Sequence, residues 1–375
     1  MKPRIVVSGV CLTAMGAYMV FKDALESLAS EHADRYDIVA LVHRKNLFDV
    51  PCVTYLEFPE IKSSWLKRLR FEYYDCRDIS KKLKPHLWFA MHDITPNVQA
   101  NVRAVYCHNP SPFYKFSLKE APLAWKFSLF TLLYRFLYGL NIKSNDFVIV
   151  QQDWLRNEFM SRYGVGNVVV AHPSVDFVPD GNATVSRLSK PFLFFYPAYP
   201  WAPYKNIEQI LKAARVLERG GLSNFEIWLT MNGEETPYSK KMRKVYSDLA
   251  TVRWLGIRPR TEVMRLYSEA DCLLFPSKLE TWGMPITEFK ATGKPILAAD
   301  LPYAHETVGQ YERAAFFDTK SEAQLVAMMK HAICGEPIFR STAEKKIAPP
   351  FSRNWTELWQ ILLVSREVES HMSKM

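Results

Sequence analysis

The chain has 375 residues, and at ~150 residues per domain that length points to two domains rather than one core. Its 48% hydrophobic and 23% charged residues match ordinary soluble proteins and exclude a disordered chain, a collagen and a multi-pass membrane protein. The 48 Lys and Arg against 39 Asp and Glu give +9, with aromatics at 14%, a balance suited to nucleic acid, an anionic membrane surface or a phosphorylated substrate.

The first element is the uncharged run from Ile5 to Phe21 behind Lys2 and Arg4. Superficially it resembles a signal peptide, but Ser8, Gly9, Thr13 and Gly16 interrupt it and it falls short of the ~20 residues that span a bilayer. A buried strand over Arg4 to Ser8, a loop and a helix starting near Gly16 explain it better. Short apolar runs then alternate with helical stretches. Ile38 to His43, Leu87 to Met91, Ala104 to Cys107 and Phe147 to Gln151 read as strands. Pro173 to Lys190 is polar and rich in turn residues, which marks a linker. A second series follows: strands at Phe192 to Tyr196, Phe225 to Thr230, Val252 to Leu255, Cys272 to Pro276 and Pro295 to Ala299, with helices such as Ile207 to Glu218 and Thr261 to Glu269 between them. A last helix, from Trp355 to about Glu369, follows Pro349-Pro350. Such alternation implies parallel sheets covered by helices.

Six cysteines at 11, 52, 76, 107, 272 and 334 lie too far apart for a zinc spacing and mostly in apolar runs, so they are expected to be reduced and buried in a cytosolic protein. Only 14 residues are Gly, about 4% against a usual ~7%, so each one invites a structural reason.

Leu273 to Ala299, LLFPSKLETWGMPITEFKATGKPILAA, carries most of the chemistry. A buried strand ends at Pro276, a loop holds Glu280 to Gly283, Pro285 suits the first turn of a helix and Gly293 can end it. Backbone NH groups at the start of that helix, with Gly283 allowing close approach, make an anion site suited to phosphates. Glu288, one turn in, offers two acceptor oxygens for the hydroxyls of a ribose, while Glu280 can face another part of the ligand. Two glutamates alone would read as solvated charges. The order of strand, Glu, Gly-x-Pro, Glu and Gly-x-Pro is far more specific.

With that order the chain resembles the GT-B glycosyltransferases, and within them glycosyltransferase family 4. Their signature of two glutamates spaced by seven residues around Gly-x-Pro is matched by Glu280, Gly283, Met284, Pro285 and Glu288. Gly256 to Ser277, GIRPRTEVMRLYSEADCLLFPS, echoes a second family stretch; Lys205-Asn206 matches the opening of its first helix in the second domain, and Glu306 with Gly309 its Glu-x-x-Gly. The resemblance implies an α/β GT-B fold: two Rossmann-like domains facing each other across a cleft. Residues 1–185 would bind the acceptor and 186–350 the nucleotide sugar, with 351–375 a terminal helix that can cross back to the first domain. It also implies transfer with retention of configuration, no bound metal and no cofactor beyond the donor substrate.

Carried over residue by residue, Glu288 would hold the ribose and Glu280 the donor sugar. Backbone NH groups around Trp282 to Met284 would reach the sugar or diphosphate. Lys205 would neutralise the departing diphosphate. A bland solvated lysine at a helix N-terminus is disfavoured by the macrodipole. The family's Arg five or six residues before that Lys is absent, since Tyr199 and Pro200 stand there. Arg258 or Arg260 is left as a second cation, unless Lys205 works with backbone groups alone. Gly16 would let the backbone approach the diphosphate. His108, in VYCHNPSPFY, matches a histidine that the family sets against the donor sugar, and His92, in FAMHDITPN, stands one strand earlier; either could instead be a loop histidine bonded to its surroundings. Neither HxxxH nor DxD occurs. The His-Asn-Pro segment points to GDP-mannose as the donor, with UDP-sugars second.

Lys62, Lys67, Arg68, Arg70, Arg77, Lys81, Lys82 and Lys84 are interleaved with Trp65, Leu66, Leu69, Phe71, Tyr73 and Tyr74, and Phe113 to Leu140 is rich in aromatics with few charges. A plain solvated helix is one reading of this. The other is a monotopic membrane face, and with it a glycan or lipid-linked acceptor met at the cytoplasmic leaflet. Alternatives are a nucleotide-sugar epimerase or a transferase with a small soluble acceptor on the same fold, a scaffold without catalysis, and a nucleic-acid binder, which lacks any recognition motif.

Overall fold

Most strands here are continuous apolar runs, as befits sheets covered on both faces: Ile5, Val6 and Val7, or Leu273 and Leu274, are fully buried. The computed structural model describes residues 2–13, 15–115, 125–173, 191–198 and 202–364. The chain divides into two units, Met1–Phe113, Leu132–Ser174 and Ile347–Met375 in the first, and Tyr114–Thr131 and Val175–Lys346 in the second.

In chain order the elements are β1 (Arg4–Ser8), α1 (Met15–His32), β2 (Asp37–Val42), β3 (Val53–Glu57), α2 (Trp65–Arg70), α3 (Cys76–Leu83), β4 (Leu87–Ala90), β5 (Val102–Cys107), α4 (Trp125–Gly139), β6 (Phe147–Val150), α5 (Asp153–Tyr163) and β7 (Val168–Ala171). Next come β8 (Phe192–Tyr196), α6 (Ile207–Arg219), β9 (Phe225–Leu229), α7 (Pro237–Val245), β10 (Val252–Trp254), α8 (Arg260–Glu269), β11 (Cys272–Phe275) and α9 (Met284–Lys290). The rest are β12 (Ile296–Ala299), α10 (Pro302–Val308), β13 (Tyr311–Phe317), α11 (Glu322–Ile333), β14 (Arg340–Thr342), β15 (Phe351–Ser352) and α12 (Trp355–Val364).

The first unit holds an eight-stranded sheet in the order β15-β7-β6-β5-β4-β1-β2-β3 and the second a seven-stranded sheet in the order β10-β9-β8-β11-β12-β13-β14. The described pairs are parallel apart from β13 with β14. Parallel order places the carboxyl ends of β1, β4 and β5, and separately those of β8 and β11, along one edge of each sheet, the edge where ligands of open α/β sheets sit.

The expected boundary at residue 185, the linker from 174 to 190 and the helix beyond residue 364 lie outside the described residues. What is described of the C-terminus belongs to the first unit: β15 pairs with β7, and Trp355, Leu358, Trp359 and Leu362 join Phe21, Leu25 and Leu28 of α1 in one buried cluster. Several strands were not anticipated. β3 has only partly buried or exposed residues, and β7 is four residues long, so neither gives a long apolar signal. The cysteines also need a correction. All six are unpaired, but Cys52 and Cys334 are exposed and Cys11 is intermediate, leaving only Cys76, Cys107 and Cys272 buried. Apolar neighbours in sequence did not carry Cys52, in a turn before β3, into the core. The glycine that packing demands is Gly9, where an added Cβ would lie 2.6 Å from the Phe21 ring; Gly16 has open space around it.

Trp359 is fully buried and stands edge-on to Phe89 of β4, ring centroids 5.5 Å apart. Trp359→Ala is expected to lower stability by about 3 to 5 kcal/mol, read as a shifted urea midpoint; an unchanged midpoint would mean that α12 contributes nothing to the first core.

Candidate functional site

In the second unit, Lys205 Nζ lies 2.6 Å from Glu280 Oε1, with the two side chains only 16% and 14% exposed. Lys205 follows β8 and Glu280 follows β11, and the loops that carry them are laced together. Tyr196, the last residue of β8, donates its hydroxyl to Lys205 O at 2.8 Å and meets Ser277 Oγ at 2.9 Å. Lys278 N donates to Tyr204 O at 2.7 Å. Asn206 adopts φ 55°, a left-handed conformation that Asn tolerates, and its amide donates to Gln209 Oε1 and Pro276 O. Asn206 therefore turns the chain into α6 and ties it to the end of β11, which presents Lys205 to Glu280.

Beyond Glu280 the loop reaches Gly283, which has φ 92°, a value that L residues rarely adopt. Trp282 is buried; its indole NH donates to Thr287 Oγ1 at 2.8 Å and its carbonyl accepts from Thr307. Met284 opens α9, a helix of seven residues. So short a helix has a weak macrodipole, and the cations beside the site carboxylates are Lys205 and Arg260. Glu288 projects from α9 and is buried, its Oε1 2.7 Å from Arg260 Nη1 and its Oε2 accepting from Tyr267 OH at 2.8 Å. Burial pushes the Glu288 carboxyl up, against the pull of Arg260 and Tyr267 downward. Of the two arginines expected as a second cation, Arg260 is the one brought to a site carboxylate. Arg258, which precedes α8, faces Glu262 at 3.5 Å instead. Tyr199 and Pro200 lie outside the described residues. Glu306 meets Lys345 at 3.3 Å, and Gly309 ends α10 at φ 53°.

In the first unit both histidines stand at the carboxyl ends of strands. His108 follows β5, its Nε2 bonds Met91 O and its ring packs on Tyr106 at 4.7 Å. A carbonyl beside Nε2 requires the proton there, which leaves Nδ1 a bare acceptor, buried and without a partner among the described residues. Burial lowers His108, partly offset by Asp93 and Met91. His92 is fully engaged: Nε2 is 3.2 Å from Ser8 Oγ, while Nδ1 is 3.1 Å from Glu72 Oε1 and 3.3 Å from Arg68 Nη2. Burial first, then Arg68, hold His92 well below its ordinary value. Only His108 keeps a ring nitrogen for a ligand.

Sequence reasoning missed three members of this network. Asp93 receives His108 N, Asn109 N and the hydroxyls of Tyr134 and Tyr138. Arg68 was read in a basic strip, as part of a solvated helix or of a membrane face, yet its side chain is 12% exposed and donates to His92 O at 2.5 Å. Glu72 is buried outright because Phe71–Asp75 forms a π-helical turn that breaks the α-helical phase and swings Glu72 inward. Nothing in the residue types announces that turn.

Two parallel α/β sheets with these residues at their carboxyl edges define a GT-B glycosyltransferase fold. Residues 183–346, within the second unit, match the family model described as Glycosyl transferases group 1. The chain is 24% identical over 180 residues to O-antigen chain mannosyltransferase RfbU of Salmonella typhimurium, covering 47% of this chain and 48% of that protein; the match thus spans about half the length of that relative. HepE of Anabaena, solved in complex with UDP-glucose, is similar at TM-score 0.63 and 15% identity over 99% of this chain and 100% of that one. WaaG, a glycosyltransferase involved in lipopolysaccharide biosynthesis, is similar at TM-score 0.60 and 14% identity over 88% of this chain and 90% of that one.

Burial, opposed by Arg68, raises the Glu72 carboxyl from 4.5 to about 8. A carboxyl raised in this way binds a proton in the folded chain that the unfolded chain has already released. The stability it contributes is present below about 4.5 and is lost as pH rises towards about 8. Glu72→Gln removes this dependence. The variant's thermal midpoint is therefore expected to gain on the wild type between pH 5 and pH 9, and parallel curves would show Glu72 to be ionised throughout.

Proposed function

We propose that the chain is a retaining, metal-independent glycosyltransferase that moves a hexose from a nucleotide sugar to a glycan or lipid-linked acceptor in cell-surface polysaccharide synthesis. The observation that carries this reading is the Lys205–Glu280 pair at the ends of β8 and β11, inside the segment that matches the glycosyltransferase group 1 family. A diphosphate draws Lys205 towards itself, which frees Glu280 to accept hydroxyls of the sugar. Glu288 accepts the ribose diol once Arg260 swings aside. As the bond from the anomeric carbon to the diphosphate oxygen breaks, Lys205 neutralises the charge that develops there. The acceptor oxygen forms its bond on the same face, and its proton passes to the departing phosphate. His108 Nδ1 accepts a hydroxyl of the transferred sugar, a task closed to His92.

The name of the Salmonella relative supports mannose, and so GDP-mannose as donor; the UDP-glucose bound by HepE keeps UDP-sugars second. Calorimetry of the full chain with GDP-mannose and UDP-glucose tests this. Glu288→Gln and Lys205→Ala are each expected to weaken the preferred donor about ten-fold or more, ~1.4 kcal/mol, whereas wild-type affinity in both would sink the assignment.

The membrane reading rests on α4. Leu129, Leu132, Leu133 and Phe136 are exposed at three- and four-residue spacing along one face, and Trp65 and Leu66 are exposed too, with Trp65 beside Tyr134 of α4. No helix among the described residues is long and apolar enough to cross a membrane. We place this apolar stripe, with exposed Lys67 and Arg70, against the anionic cytoplasmic leaflet, where each basic residue contributes about 1 kcal/mol. Arg68 takes no part, being committed to His92. Flotation with phosphatidylglycerol vesicles is expected to recover the wild type, and far less of Leu133→Glu/Phe136→Glu or of Lys67→Glu/Arg70→Glu. Equal recovery of all three proteins would remove the membrane from the reading.

A further inference from the structure

Asp93 ends the turn after β4 with φ 78°, a left-handed backbone that costs a residue with a side chain roughly 1 kcal/mol. Its carboxylate has four donors: on Oδ1, His108 N at 2.6 Å, Asn109 N at 3.1 Å and Tyr138 OH at 2.9 Å, and on Oδ2, Tyr134 OH at 2.7 Å. The Asp93 backbone N in turn donates to Tyr106 O at 3.1 Å. The loops after β4 and β5 are thus bound twice over. Met91 O holds the His108 ring, and Asp93 holds the His108 backbone. What remains of the His108 ring is Nδ1, buried without a partner among the described residues. Tyr134 and Tyr138 lie on the buried face of α4, so the carboxylate joins that helix to the histidine loop.

We propose that Asp93 is a positioning residue: with Tyr134 and Tyr138 it fixes the His108 loop so that Nδ1 presents its lone pair to a hydroxyl of the sugar being transferred. Asp93 reaches no substrate atom, since its acceptor sites are taken by four donors of the chain itself. A loop held this way needs no reorganisation as the sugar arrives, which is where positioned dipoles gain their effect. A carboxylate serving stability alone would act equally whether or not His108 had its ring. One acting through His108 would have nothing left to do once the ring is gone.

The inference rests on the reading of His108 given above, and a double-mutant cycle in the full chain separates the two. Release of nucleoside diphosphate from GDP-mannose, or from UDP-glucose if that donor binds better, is followed for the wild type, Asp93→Asn, His108→Ala and the double variant. Each single change is expected to lower kcat about ten-fold or more while KM for the nucleotide sugar stays within about two-fold, because the nucleotide is held by Lys205 and Glu288 of the second unit. The double variant is expected to be no slower than His108→Ala alone. Multiplying penalties, or a KM that rises while kcat holds, would overturn the positioning role. If His108→Ala turns over like the wild type, the reading of His108 falls and takes the positioning role with it. Should Asp93→Asn fail to fold, Tyr138→Phe replaces it in the same cycle, removing one donor from the same carboxylate with the same expected and overturning outcomes.

Discussion

The ion pair between Lys205 and Glu280 organises the second unit. Two opposite charges sheltered from water stabilise a fold only weakly, because desolvation offsets their attraction. Many features nevertheless serve their meeting: the left-handed Asn206, the Tyr196 hydroxyl between two loops, the Lys278 to Tyr204 bond and the positive φ at Gly283. That investment makes sense if the pair is held ready for exchange. With Arg260 on Glu288 it forms a second such pair, and the four charges sum to zero. On the proposed function, a diphosphate entering such a site would find cations whose present partners are carboxylates, and the carboxylates would find hydroxyls. Each charge would trade one hydrogen-bonded partner for another, and none would be stranded.

The first unit gathers its polar groups in a buried network instead. Arg68, Glu72, His92, Asp93, Tyr134 and Tyr138 bury polar atoms at the carboxyl edge of the sheet, and burial of that kind is tolerated only with partners in place. His92 and Asp93 are saturated by them; His108 is left one acceptor short. Glu72 Oε2 and Arg68 Nε are also buried without a hydrogen bond among the described residues, so the orphan acceptor on His108 is distinguished by its place beside the end of β5, where a ligand hydroxyl would fit. The same economy governs α4, which buries Thr131, Tyr134 and Tyr138 on one side and exposes Leu132, Leu133 and Phe136 on the other. A helix apolar all round is at home only between two partners, and among the described residues one of its faces has none.

Legibility in the sequence followed the range of the interactions. Strand β1, the helix after Gly16 and most of the second series were readable because buried strands and amphipathic helices are local patterns. Glu280, Gly283 and Glu288 were readable because their roles need a fixed spacing over one strand, loop and helix. The partner of Glu288 was not. Arg258 and Arg260 look alike in sequence, and only the fold at the start of α8 decides that Arg260 meets Glu288 of α9 while Arg258, before the helix, meets Glu262. Asp93, whose tyrosine donors lie 41 and 45 residues away, gave no sign of itself. Arg68 was read as part of a basic strip and Glu72 gave no signal, because a π-helical turn breaks the α-helical phase that a surface helix would keep.

The surplus charge of the chain can therefore be divided by environment. Arg68 is buried in the first network, where it donates to His92 O, and Arg260 is held in a site pair, so neither belongs to the exposed basic strip. Lys67, Arg70, Arg77, Lys81, Lys82 and Lys84 remain exposed along the segment that runs from α2 through α3. Charges on such a surface act over about 8 to 10 Å at physiological salt, too far to shape the fold and far enough to orient a protein on a charged plane. The aromatic and leucine stripe of α4 has the opposite reach, since its contribution appears only on contact. A surface that needs both, one for approach and one for seating, is matched by an anionic bilayer better than by a nucleic acid, which would offer the leucines and Phe136 nothing to bury against.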